Sequence, residues 1–174
     1  MAHRARLCDT TGNPDQPHRR PGGCRVVGAI TPWNFPHQIN LAKVGPALAA
    51  GNTLILKPAP DTPRGPPRCS ARSSPSTPIS HPGVFNIVTS DDHGVGALLS
   101  KDPRVDIVSF TGSTNTGRAV MADAAVTIKK VFLELGGKSA FLVLDDADLG
   151  GACAMAAFTV AMHAGQGCAI TTRL

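Results

Sequence analysis

The sequence predicts an α/β fold built on a parallel sheet, and three observations predict it. Short apolar runs rich in β-branched residues recur along the chain, separated by stretches of helical periodicity. One run ends in Lys57, and another passes directly into Thr111-Gly112-Ser113 ahead of a helix. In open α/β sheets ligands bind outside such carboxyl ends. Finally, Leu133-Glu134-Leu135-Gly136-Gly137-Lys138 is followed by a cysteine in a glycine-flanked loop, Gly165-Gln166-Gly167-Cys168. A thiol and a carboxylate drawn from distant parts of a chain can act as nucleophile and general base. The plainer alternatives are a solvated strand end for Glu134 and a small core residue for Cys168.

Residues 1–24 have no periodicity, contain Pro14, Pro17, Pro21 and Gly22-Gly23, and are expected to be disordered. Arg25 to Ile30 reads as a buried strand. It ends in Thr31-Pro32-Trp33-Asn34-Phe35-Pro36, where two prolines fix a non-regular turn. Trp33 could serve there as a core plug. His37 to Ala50 reads as a helix with an apolar stripe of Ile39, Leu41, Val44, Ala47, Leu48 and Ala50, stopped by Gly51. Thr53 to Lys57 is the next strand.

Residues 64–81 then break the pattern. Four prolines and a single large aliphatic residue, Ile79, predict a disordered loop where a crossover helix is expected. Regular alternation resumes at the strand Val84–Val88. A short helix to Ser100 follows, capped by Asp91 or Asp92. Next come a strand over 105–110, a helix through about Ala125, strands over 129–135 and 140–144, and a small-residue helix from Asp148 to about Ala164.

Composition narrows the function. The 174 residues suit one sizeable core, and no apolar run approaches the roughly 20 residues of a membrane helix. The N-terminus lacks the apolar region of a secretory signal. Five cysteines without a C-x-x-C pattern argue against a disulfide framework or zinc site, which points to a reducing, cytoplasmic setting. The net charge of +5 comes wholly from Arg4, Arg6, Arg19, Arg20, Arg64, Arg68 and Arg72 against Asp9 and Asp15, all within 1–24 and 64–81. These segments lack the patterned basic face of a nucleic-acid binder, so neither nucleic acid nor membrane is an expected partner.

Three further residues have donor chemistry to offer. Asn34 can donate its amide to a developing oxyanion or satisfy its own turn. The 110–114 junction offers free backbone N–H groups and the Ser113 hydroxyl to a phosphate, unless Ser113 or Thr114 simply caps the helix. Lys57 can donate to a ribose or phosphate, or end its strand in solvent.

Together, Thr31 to Pro36, Lys57-Pro58, Phe110-Thr111-Gly112-Ser113, Leu133 to Lys138 and Gly165 to Cys168 resemble the motifs of the NAD(P)-dependent aldehyde dehydrogenase superfamily, in its order and at compatible spacings. The resemblance covers 25–63 and 82–174. It implies a Rossmann-like cofactor-binding domain over 25–135 and the start of a second, catalytic α/β domain over 136–174. It further implies Cys168 as the nucleophile, Asn34 with the Cys168 backbone N–H as the oxyanion hole, and Glu134 as the base that hydrolyses the thioester. Lys57 would contact the adenine-side ribose, Ser113 after Gly112 the pyrophosphate, and Thr31, Pro32 and Trp33 would line the cleft. The cofactor would be NAD or NADP. Pro60 stands where many NAD-using members carry a ribose-binding Glu, so the choice stays open. The substrate would be an aldehyde.

Family members are much longer, so the resemblance also implies that the later catalytic and oligomerisation regions lie beyond Leu174. The corresponding expectation is a catalytically inactive remnant or weak nucleotide-binding module as the alternative to an active enzyme. The length of 64–81 matches the expected helix, which points to paired frameshifts there, with 1–24 also read out of frame.

Overall fold

A computed structural model describes residues 25–63 and 83–174; the expected disorder of 1–24 and 64–81 lies outside the described residues. Five parallel strands form one sheet: β1 (Val26–Ile30), β2 (Thr53–Lys57), β3 (Phe85–Ile87), β4 (Ile107–Gly112) and β5 (Lys130–Leu135), in the order β3-β2-β1-β4-β5. The central strand β1 pairs Ile30 with Lys57 on one side and with Phe110 on the other. Strand order reverses at β1, so the crevice beyond the carboxyl ends of β1 and β4 is the topological switch point.

Period-two alternation sorts the strand residues onto two faces. Val27, Ala29, Leu54 and Leu56 are buried together beneath α1 (Pro36–Ala49), with Val44 and Ala47 packed on them. On the other face Val108 and Phe110 are buried with Leu99 of α2 (Gly94–Lys101) and Val120 of α3 (Thr114–Ala125). Fully burying side chains such as Leu54 and Leu56 contributes roughly 2–3 kcal/mol each, so these clusters anchor the sheet.

Helix α1 starts at Pro36, whose fixed φ suits the first helical turn. It stops as expected at Gly51, which takes φ 75°. The Gly51 N–H donates to the Leu48 carbonyl and the Asn52 N–H to the Ala47 carbonyl, closing the end in a Schellman motif. The expected apolar stripe is only partly used. Leu41 is 58% exposed, and the inward face runs through Asn40, Val44 and Ala47 instead. The cause is placement: α1 packs on β1 and β2 and leaves the β4–β5 half of that face uncovered.

Other expected bounds shift for identifiable reasons. Strand β4 begins at Ile107 because the Val105 N–H turns back to the Asp102 carbonyl, although Val105 itself is buried in the core. At α2, His93 precedes the helix and the Asp92 carboxylate accepts from the Gly94 N–H at 2.7 Å. The expected strand over 140–144 shrinks to β6 (Ser139–Ala140), paired with β7 (Thr171–Arg173). Past the Phe141 N–H bond to the Arg173 carbonyl the ladder has no further partner, and Leu142 and Leu144 are exposed. The expected helix to Ala164 ends earlier: α4 (Leu149–Ala161) gives way to a tight turn over Met162–Gly165.

Candidate active site

The switch-point crevice forms a cavity of about 340 Å³. Its floor is Ile30 and Phe110, and its wall between α2 and α3 is made of small residues, Gly96, Ala97 and Ala119. Thr31, Pro32, Trp33, Lys57, Gly112 and Ser113 all line it. The structure thus gathers in one cleft all six residues expected to hold a nucleotide.

One buried hydroxyl there has no partner among the described residues, and a lysine lies beside it. Thr31 is 4% exposed, and its Oγ1 makes no hydrogen bond. Lys57 is 3% exposed, held where the Thr31 N–H donates to its backbone carbonyl, while its ammonium has no carboxylate opposite. A buried hydroxyl without a partner is costly unless a ligand supplies one. Glycine at 112 is also demanded by space, because a Cβ there would lie 2.6 Å from Phe110 Cζ. Small residues, one orphaned hydroxyl and a cation fit a dinucleotide. Ser113 does cap α3: its Oγ accepts from the Thr116 N–H at 3.2 Å and lies 2.9 Å from the Thr116 hydroxyl.

The second half of the site faces the opposite side of the sheet. Leu133 and Leu135 turn into the α2–α3 core, so alternation sends Glu134 towards the α1 side. There its carboxylate faces the Cys168 thiol. Burial first, and then the neighbouring Glu134 carboxylate, push the Cys168 thiol above its usual value. Glu134 also acts on Lys43. Burial lowers the Lys43 ammonium to about 8, with the Glu134 charge opposing the shift, and its Nζ donates to Ser109 Oγ at 2.8 Å.

Asn34 neither satisfies its own turn nor stands free. Its Nδ2 donates to the Gln166 carbonyl at 2.8 Å, tying the 31–36 turn to the loop that carries Cys168. An amide carries two N–H donors, so one remains available. Trp33 is no core plug: it is 46% exposed and stacks towards His163. Lys43, Ser109 and His163 were not legible as site residues. The available signal for Lys43 was a lysine lodged between the apolar positions 41 and 44. His163 carried no signal at all.

A ligand-binding crevice at the switch point of a parallel sheet places the protein among the Rossmann-like nucleotide-binding α/β proteins. The sequence profile of the aldehyde dehydrogenase family matches residues 7–174, and the chain belongs to that family. The match spans 7–24 and 64–81, which the motifs left outside. The chain is 49% identical over 156 residues to a 3-succinoylsemialdehyde-pyridine dehydrogenase of a Pseudomonas species, covering 90% of this chain and 32% of that protein. It is 47% identical over 150 residues to an NADP-dependent succinate-semialdehyde dehydrogenase of Escherichia coli, covering 86% and 30%. Among solved structures, a mutant aldehyde dehydrogenase C of Pseudomonas syringae, bound to NAD+ and octanal, superposes with TM-score 0.74 at 34% identity, covering 86% and 30%. The chain therefore spans about a third of the length of these relatives. The relatives are NAD(P)-dependent oxidoreductases.

Proposed function

We propose that this chain carries the cofactor cleft and the nucleophile of an aldehyde dehydrogenase that oxidises an aldehyde to a carboxylic acid through a cysteine thioester. The observation that carries the reading is that Cys168 and Glu134 face each other at the same sheet whose strand ends hold the cleft lined by Thr31, Lys57 and Ser113. The Cys168 thiol gives up its proton to solvent, and the thiolate adds to the aldehyde carbonyl. The free Asn34 N–H and the Cys168 backbone N–H are the donors for the resulting oxyanion. NAD or NADP in the cleft supplies the hydride acceptor. Thr31, Pro32, Trp33, Lys57, Gly112 and Ser113 would hold it, with Lys57 on the ribose side. Glu134 then takes a proton from water as its oxygen joins the thioester carbon, releasing the acid and restoring the thiol. Overall, aldehyde, water and NAD(P)+ give carboxylic acid, NAD(P)H and a proton.

Two of the similar proteins are named for semialdehydes, so succinic semialdehyde heads the substrate panel. A reactive thiol fits the reducing cytoplasm. No described helix is long and apolar enough to cross a membrane. A second reading, a nucleotide-binding module without turnover, is favoured by two features. One Asn34 donor is already committed to Gln166, and α4 buries none of its residues.

Absorbance of reduced nicotinamide with an aldehyde panel, against Cys168→Ala, tests the first reading. Turnover that survives Cys168→Ala refutes it. Calorimetric NAD(P) binding without any turnover selects the second.

A further inference from the structure

We propose that His163 is the positioning residue of the nucleophile loop, its imidazole stacked on Phe35 so as to hold Cys168 beside Glu134. The backbone just before Cys168 is unusual. His163, Ala164 and Gly165 take φ values of 52°, 54° and 74° in succession. Glycine adopts this left-handed region freely, but histidine and alanine do so only when contacts outside the turn fix them.

Those contacts converge on the 31–36 turn. The His163 ring stacks on Phe35 with centroids 4.6 Å apart at 24°, and lies 6.4 Å from Trp33 at 26°. The Gln166 N–H donates to the His163 carbonyl, and the Gln166 carbonyl accepts from Asn34. Gly167 passes the same ring, since a Cβ there would sit 3.7 Å from Phe35 Cε2. Phe35 is therefore touched by the loop both before and close to the nucleophile. His163 is itself exposed, so core burial does not explain its fixed conformation; offset ring stacking does.

The thiol's surroundings give the sign of the effect. While the loop is held, Cys168 is half-buried and faces a carboxylate, and both conditions favour the protonated thiol. Releasing the loop should free the thiolate and speed its alkylation. A fall of about one pKa unit gives roughly tenfold more thiolate, and lower intrinsic nucleophilicity trims the gain to about threefold.

The test is iodoacetamide alkylation of the full chain at neutral pH, without aldehyde or nucleotide. Mass spectrometry reads Cys168, with exposed Cys153 of α4 as internal reference. His163→Asn tolerates the left-handed backbone but cannot stack, and should alkylate at Cys168 about threefold faster or more. His163→Phe retains the stack and should stay within about twofold of the native rate. Cys153 should react equally in all three proteins. Emission of Trp33, the only tryptophan, should change in His163→Asn. An unchanged Cys168 rate or Trp33 spectrum in His163→Asn overturns the proposal. So does a His163→Phe rate as high as that of His163→Asn, or a parallel rise at Cys153, which would signal general opening. The functional weight of His163 rests on Cys168 being the nucleophile proposed above. Thiol reactivity is read without turnover, so failure of the clamp and failure of the dehydrogenase reading are separate results.

Discussion

Replacing Lys43 by methionine should stabilise the protein at pH 7 and destabilise it in strong base. Folding lowers the Lys43 ammonium from 10.5 to about 8, with burial the larger cause. A group whose folded pKa is depressed adds stability above its unfolded pKa and loses it as pH falls through the folded value. For Lys43 the window thus runs from about 10.5 down to about 8, and below it the buried charge is a liability. The two values differ by about 2.5, which corresponds to about 3 kcal/mol as an order of magnitude. Methionine removes that liability but leaves the Ser109 hydroxyl without its 2.8 Å donor, a loss of about 1 kcal/mol. The net expectation for Lys43→Met is a gain of about 2 kcal/mol at pH 7 that becomes a loss of about 1 kcal/mol above pH 10.5. Urea unfolding of both proteins between pH 6.5 and 10.5 measures it. The difference between the curves isolates Lys43 from other groups titrating in that range. A difference that stays flat with pH, or a methionine variant less stable at pH 7, refutes the reasoning.

Glu134→Gln should raise the alkylation rate of Cys168 about threefold, because the carboxylate that holds the thiol protonated is gone. The same change should cut any aldehyde turnover by about 10²-fold or more, seen as a thioester that accumulates on Cys168 in mass spectrometry. Ser113→Ala removes the cap bond to the Thr116 N–H and should cost about 1 kcal/mol in urea unfolding. Gly51→Ala forces alanine to φ 75° and should cost a similar amount, about 1 kcal/mol, with nucleotide binding unchanged in calorimetry.

The strands and their order of helices were legible because a buried parallel sheet writes itself as apolar runs, and those of β1, β2 and β4 are unambiguous. The motif residues were legible as well, since a glycine at 112 and a lysine closing β2 have few other uses. The stretch 140–144 misled because periodicity reports apolar residues and not the presence of a partner. Leu142 and Leu144 have the pattern of a strand but no neighbour to pair with beyond β7. Leu41 misled for a related reason, since a helical stripe is visible in sequence but the width of sheet beneath it is not. Lys43 and His163 belong to a third kind. Their significance lies in what they meet, Ser109 across 66 positions and Phe35 across the whole domain, and no local pattern encodes such encounters.

The 31–36 turn physically joins the cleft to the Cys168 loop. Thr31, Pro32 and Trp33 form part of the cofactor cleft, while Asn34 and Phe35 grip the loop that carries Cys168. Two prolines stiffen this segment, and the Thr31 N–H bond to the Lys57 carbonyl fixes its start against β2. Thr31 and Lys57, both lining the cleft, are therefore joined to the same rigid turn that sets the position of the thiol. The cleft lies at the strand ends, and Glu134 ends the neighbouring strand β5 on the α1 side. Thiol, carboxylate and cleft are thus brought into register by one turn and two adjacent strand ends, rather than by a separate scaffold for each.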